Sequence, residues 1–234
     1  MERFLLGTNW KMHKTFPEAV AYTERLKILV QQYPQCQFFI IPPSLYLREL
    51  AERLKGGQIL LGAQNMHWRE EGDYTGEISP AWLEACGVAV AELGHSERRQ
   101  AYNENDVDLN RKVHAAFRHN MIPLLCVGES AQDKEYGVTA EKLRMQLKIG
   151  LFGVNPEQSS RLWIAYEPVW AIGPPGIPAE AAYVQAVHQM IRSMLLEQFG
   201  ESGRRIPILY GGSVNPENCV SLAVCSEVNG LFIG

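Results

Sequence analysis

No apolar run in the 234 residues approaches the roughly 18 of a membrane-spanning helix, so no membrane partner is expected. The opening Met1-Glu2-Arg3-Phe4-Leu5-Leu6-Gly7 has too short an apolar core for a signal peptide. Basic residues are not in excess: lysine plus arginine is 22 against 26 acidic residues, a net charge of −4, so no nucleic-acid partner is expected. The five cysteines are odd in number and lack C-x-x-C spacing, which argues against a disulfide framework or zinc knuckle. A reducing, cytoplasmic compartment is expected. The H-E-x-x-H pattern is missing, and His114 and His119 are not spaced to share one helical face, so no metal is expected. No low-complexity linker divides residues 1–234, which read as one domain. At 46% hydrophobic and 21% charged, the composition is that of a globular chain with a sizeable core.

Short apolar runs alternate with longer amphipathic stretches. The strand-like runs are Phe4–Thr8, Gln37–Ile41, Ile59–Ala63, Val88–Leu93, Ile122–Val127, Leu162–Tyr166, Ile206–Tyr210 and Gly230–Ile233. Helical candidates between them include Pro17–Gln31, Ser44–Lys55, Asp106–His119, Thr139–Ile149 and Ala179–Phe199. The first opens with Thr15 as cap, Pro17 in the first turn and Glu18 beside it. Continuous apolar strands joined by helical crossovers point to a parallel sheet. An open doubly wound sheet is one solution; a closed eightfold β/α barrel suits the count and length better. Pro174-Pro175-Gly176-Ile177-Pro178 has a linker's composition, but its place between strand and helix favours a rigid functional loop.

In a parallel barrel the functional set lies just past the carboxyl ends of the strands. Those positions hold Asn9, Trp10 and Lys11 after the first strand, and His95, Ser96 and Glu97 after the fourth. Glu167 follows the sixth, and Gly211-Gly212-Ser213 the seventh. Each has a structural reading. A lysine after a strand is usually a solvated loop charge, a histidine between Gly94 and Ser96 can be a cap, and Glu167 before Pro168 can simply end a strand. Gly-Gly-Ser ahead of Val214-Asn215-Pro216-Glu217 is more specific, because glycines let backbone approach a ligand and a helix start can cradle phosphate. Together the groups define a chemistry. A carboxylate takes a proton beside a carbonyl, a neutral imidazole polarises that carbonyl, and a lysine stabilises the enediolate and attracts a dianionic substrate.

These motifs resemble triosephosphate isomerase. Gly7-Thr8-Asn9-Trp10-Lys11-Met12 is similar to its first-strand signature and Ala91-Glu92-Leu93-Gly94-His95-Ser96-Glu97-Arg98-Arg99 to the fourth. Ala165-Tyr166-Glu167-Pro168-Val169-Trp170-Ala171-Ile172-Gly173 matches the sixth, and Tyr210-Gly211-Gly212-Ser213-Val214-Asn215-Pro216 the seventh. The resemblance runs the length of the chain and implies an α/β, (β/α)8 TIM barrel. It implies substrate contacts from Asn9 and Lys11, His95 as electrophile, Glu167 as base and Glu97 as a supporting acid. Gly173, Gly212, Ser213 and Gly234 would hold phosphate, with a small phosphorylated sugar as substrate and no cofactor. A homodimer is also implied, its interface loop Asn65–Ser79 carrying Thr75 toward the partner's site. Met66-His67-Trp68 and Tyr74 are large groups for a solvent loop, though they equally suit packing on their own barrel.

Two departures stand out. The lid usually reads Gly-Thr-Gly-Lys, whereas here it is Gly173-Pro174-Pro175-Gly176-Ile177-Pro178-Ala179, so a stiffer tip is expected, with Gly176 as the main flexible point. This lid, with Gln64-Asn65-Met66-His67-Trp68 and Gly230-Leu231-Phe232-Ile233-Gly234, is most similar to the L-erythrulose 1-phosphate isomerase branch. That substrate is dihydroxyacetone phosphate extended by one hydroxymethyl group. The family also continues past Gly234 through a last phosphate-binding amide and an eighth helix, so a barrel without its final helix is expected for these residues. The alternative function is a catalytically silent, barrel-shaped binding or scaffold protein.

Overall fold

The computed structural model describes residues 3–173 and 176–234. Pro174 and Pro175, the expected stiff tip of the lid, lie outside them. Among the described residues the strands are β1 Phe4–Asn9, β2 Cys36–Ile41, β3 Ile59–Ala63, β4 Val90–Leu93, β5 Ile122–Val127, β6 Trp163–Tyr166, β7 Ile208–Tyr210 and β8 Gly230–Ile233. Each pairs in parallel with the next, and β8 returns to β1 from Leu5↔Gly230 to Thr8↔Ile233, closing the barrel.

The helices are α1 Phe16–Leu29, α2 Leu47–Leu54, α3 Pro80–Ala85, α4 Ser96–Ala101, α5 Asp106–Arg118, α6 Ala131–Glu135, α7 Thr139–Gly150, α8 Ala181–Phe199 and α9 Cys219–Ala223. α1 begins as the sequence indicates: the Glu18 carboxylate accepts from both the amide and the hydroxyl of Thr15, satisfying a donor the first turn would leave free.

Alternation along each strand divides the apolar residues between two cores. Leu5, Phe39, Ile41, Val90, Leu124, Cys126, Trp163, Ala165, Leu209 and Phe232 fill the barrel interior. Their strand neighbours, among them Phe38, Ile40, Ala91, Leu93, Leu125 and Val127, pack outward beneath the helices. Gly7 is required here, because a Cβ would fall 1.9 Å from the Phe39 ring. The inward parity is what places the functional groups: extending it along β1, β4 and β6 brings Asn9, Glu92 and Glu167 to the axis.

Some boundaries differ from the sequence reading. The fourth strand starts at Val90 and not Val88, because the Val88 amide donates to Leu83 O at 3.0 Å and closes the end of α3. The seventh starts at Ile208, since the Ile206 amide turns back to Gly203 O and Pro207 has no N–H for a ladder. The stretch Ser44–Lys55 opens with a 3₁₀ turn, Ser44–Tyr46, before α2.

Candidate active site

Asn9 ends β1, and its side-chain amide is held on both sides. Nδ2 donates to the two Glu92 oxygens at 3.0 and 2.8 Å, while Oδ1 accepts the Lys11 amide at 2.7 Å and Gln64 Nε2 at 3.2 Å. Gln64 Nε2 also reaches the Lys11 carbonyl at 2.8 Å. These bonds hold Lys11 at φ +50°, a left-handed conformation that costs a side-chain-bearing residue energy. Lys11 Nζ meets Glu97 Oε1 at 2.8 Å. Burial is the largest influence on Glu97 and pushes its carboxyl up. The Lys11 hydrogen bond and the charges of His95, Lys11 and His13 outweigh it and leave the group below its ordinary value.

His95 caps α4. Its Nδ1 accepts the Glu97 amide N–H at 3.2 Å, so a neutral ring carries its proton on Nε2. That nitrogen lies 3.7 Å from Glu167 Oε1. Glu167 follows β6 and is 2% exposed. Its amide donates to Val127 O at 2.7 Å, and its Oε2 accepts the Ser96 amide at 2.9 Å. Gly211 leaves room for it: a Cβ there would stand 3.1 Å from Glu167 Cγ.

Asn9, Lys11, His95 and Glu167 open onto one cavity of about 550 Å³, which Gly173, Gly212, Ser213 and Gly234 also line, Gly234 close against the Lys11 side chain. Among the described residues the Gly212 and Gly234 amides donate to no protein acceptor. Ser213 differs: both its amide and its hydroxyl donate to Ala171 O, at 3.0 and 2.8 Å. Gly173 takes φ +77°. Gly176 packs against backbone, where a Cβ would lie 2.7 Å from the Ala171 carbonyl carbon, so close approach is the property this glycine supplies.

Three residues of this neighbourhood were not singled out from the sequence. Glu92 is fully buried within reach of His95 and Glu167, Gln64 braces Lys11, and His13 lines the cavity mouth. Inward strand parity was the available signal for Glu92. In the Asn65–Ser79 loop, Met66 and His67 are buried in their own chain, and the His67 ring stacks with Trp68 and packs against Tyr74, both centroids at 4.2 Å. Thr75 is exposed near the loop's tip.

A closed parallel barrel with carboxylate, imidazole and ammonium converging at the carboxyl ends of its strands defines the (β/α)8 class that carries its chemistry at that mouth. The chain belongs to the triosephosphate isomerase family, whose model matches residues 4–234. It is 45% identical over 236 positions to an L-erythrulose-1-phosphate isomerase of Brucella abortus biovar 1 (strain 9-941), covering 100% of this chain and 91% of that protein. A protein of the same name from Rhizobium rhizogenes is also 45% identical, over 99% of this chain and 88% of the relative. A triosephosphate isomerase of Clostridium botulinum is 42% identical over 100% of this chain and 94% of its own length.

Proposed function

We propose that the chain isomerises a small phosphorylated ketose or aldose through an enediol. The substrate is dihydroxyacetone phosphate with glyceraldehyde 3-phosphate, or the four-carbon L-erythrulose 1-phosphate. Glu167 abstracts the proton from the carbon beside the carbonyl. His95 donates its Nε2–H to the carbonyl oxygen, and Lys11 balances the growing negative charge. The observation that carries this reading is the single cavity shared by His95, Glu167 and Lys11, lined also by Gly212 and Gly234, whose amides donate to no acceptor among the described residues and can bind phosphate. Gly173 belongs to the same phosphate-binding set. Ser213 joins it once its hydroxyl leaves the Ala171 carbonyl. Glu97 supports the reaction by holding the Lys11 ammonium.

The two substrates separate in one experiment: coupled or NMR-detected turnover of dihydroxyacetone phosphate and of L-erythrulose 1-phosphate by the same preparation. Turnover of either supports the isomerase reading, and the larger kcat/KM identifies the substrate. Turnover of neither favours a silent binding barrel. The names of the Brucella and Rhizobium relatives support the four-carbon substrate, and that of the Clostridium relative the three-carbon one.

The same reading includes a homodimer formed through the Asn65–Ser79 loop, with Thr75 reaching the partner. The exposed Thr75, beside a Tyr74 that is 41% exposed while its ring packs on His67, supports it. Sedimentation should give twice the chain mass, and Thr75→Arg should shift it toward the monomer. A monomeric wild type would refute this assembly.

A further inference from the structure

Glu92 takes no part in the chemistry above, yet it lies at its centre. It faces the barrel axis with Val90, two residues earlier on β4, and is 0% exposed. Among the described residues its hydrogen-bond partner is Asn9 Nδ2, and no lysine or arginine pairs with it. One Glu92 oxygen, one His95 ring nitrogen and one Glu167 oxygen lie within 4.8 Å of one another.

An ionised Glu92 would be buried without a paired cation and beside a second carboxylate, and each condition disfavours charge. The neutral acid avoids both. We propose that Glu92 is a positioning residue: an uncharged carboxylic acid beneath the pocket that anchors Asn9 and, through Asn9, the left-handed backbone carrying Lys11. The links are the two bonds from Asn9 Nδ2 and the Lys11 amide donating to Asn9 Oδ1.

The groups that face Glu92 fit this role. Asn9 and Lys11 come from the end of β1, His95 and Glu97 from the start of α4, Cys126 from β5 and Glu167 from the end of β6. Lys11 brings the positive charge, and its ammonium is paired with Glu97. Burial first, then the Glu167 charge, holds the Glu92 carboxyl well above the usual range, and Glu97 adds to this. The Asn9 hydrogen bond and Lys11 oppose it. Burial likewise keeps the Cys126 thiol protonated, with the Glu167 and Glu92 charges adding to it. With Nδ1 of His95 occupied by the Glu97 amide, its Nε2–H is the donor that faces Glu167. At alkaline pH, loss of the Glu92 proton puts a second negative charge under a pocket that receives phosphate, and binding weakens.

The kinetic arm of this inference rests on the isomerase reading, and a spectroscopic arm keeps the two separable. Glu92→Leu removes the acceptor for Asn9. It should raise KM, and the Kd of a phosphate-bearing enediolate analogue, about tenfold, the equivalent of one lost buried hydrogen bond. Its effect on kcat should be smaller. Glu92→Gln keeps a carbonyl for Asn9 and cannot ionise, so it should restore most of that loss and abolish the alkaline rise in KM. Wild-type KM and Kd in Glu92→Leu would overturn the positioning role, and equal damage in both variants would show that a charged group is required. If Glu92→Leu fails to fold, the infrared difference between wild type and Glu92→Gln at pH 7 decides. A protonated-carboxyl band belonging to Glu92 is expected, and carboxylate bands in its place would overturn the inference. That spectrum holds whether or not the protein turns over either substrate.

Discussion

Replacing Gly211 by alanine tests how tightly the barrel positions Glu167. The new Cβ would stand 3.1 Å from Glu167 Cγ, 3.4 Å from the Tyr166 carbonyl oxygen and 3.6 Å from Phe232 Cδ1. Carbon–carbon contacts are comfortable from about 3.5 Å, so the Glu167 side chain must retreat by roughly half an ångström. It cannot do so freely, because its Oε2 holds the Ser96 amide and its backbone amide holds Val127 O. A misplacement of about 1 Å can cost around 100-fold in rate, so half of that on a logarithmic scale is about tenfold in kcat, or ~1.4 kcal/mol of barrier. The backbone suits alanine, since Gly211 does not have a positive φ. Overpacking of this extent should lower stability by about 1 kcal/mol. The assay pairs steady-state kinetics with urea unfolding, and the expected signature is a lowered kcat with KM within a factor of two. A folded Gly211→Ala enzyme with wild-type kcat would refute the claim that this contact sets the position of the base.

Lys11→Met should weaken a phosphate-bearing analogue about 10- to 100-fold by calorimetry, the worth of a charge-assisted hydrogen bond, and should flatten the dependence of binding on salt. Unaltered affinity would remove Lys11 from the anion site. His188 gives a pH signature in stability: burial, the leading cause, pushes its imidazole from 6.5 down to about 4, against the bond that its Nδ1–H donates to the Glu227 carbonyl. The unfolded chain therefore binds the extra proton between those values. The His188 contribution is complete above about pH 6.5 and is lost as pH falls toward 4, a change of about 3 kcal/mol. Urea unfolding at pH 7.5 and 4.5 should show that much less acid sensitivity in His188→Gln; equal sensitivity would contradict the assignment.

The strands were legible because burial on both faces writes each as an unbroken apolar run, as in Ile122–Val127. Lys11, His95 and Glu167 were legible because they interrupt that pattern where strands end. Four helices were given no range from the sequence. α3, α4, α6 and α9 have five or six residues each, too few for an amphipathic period to register. α4 also carries Glu97, Arg98 and Arg99, so no apolar stripe marks its length, and the histidine cap is the one signal of its start. Glu92 was hidden for the opposite reason. It sits inside an apolar run, and only the inward parity shared with Val90 shows that this carboxyl faces the axis. Gln64 escaped notice because its partners, Asn9 and Lys11, come from the end of β1, distant from it in sequence.

In the proposed reaction Glu167 moves a proton on and off carbon. Turnover in deuterium oxide tests it directly, with label read by NMR at the carbon next to the carbonyl of L-erythrulose 1-phosphate and of dihydroxyacetone phosphate. Wild type should incorporate deuterium into its substrate and product. Glu167→Gln should do so at least 10²-fold more slowly while still binding the phosphate analogue, the scale expected for loss of a general base. Exchange by Glu167→Gln at the wild-type rate, or isomerisation by the wild type with no deuterium entering carbon, would contradict the account.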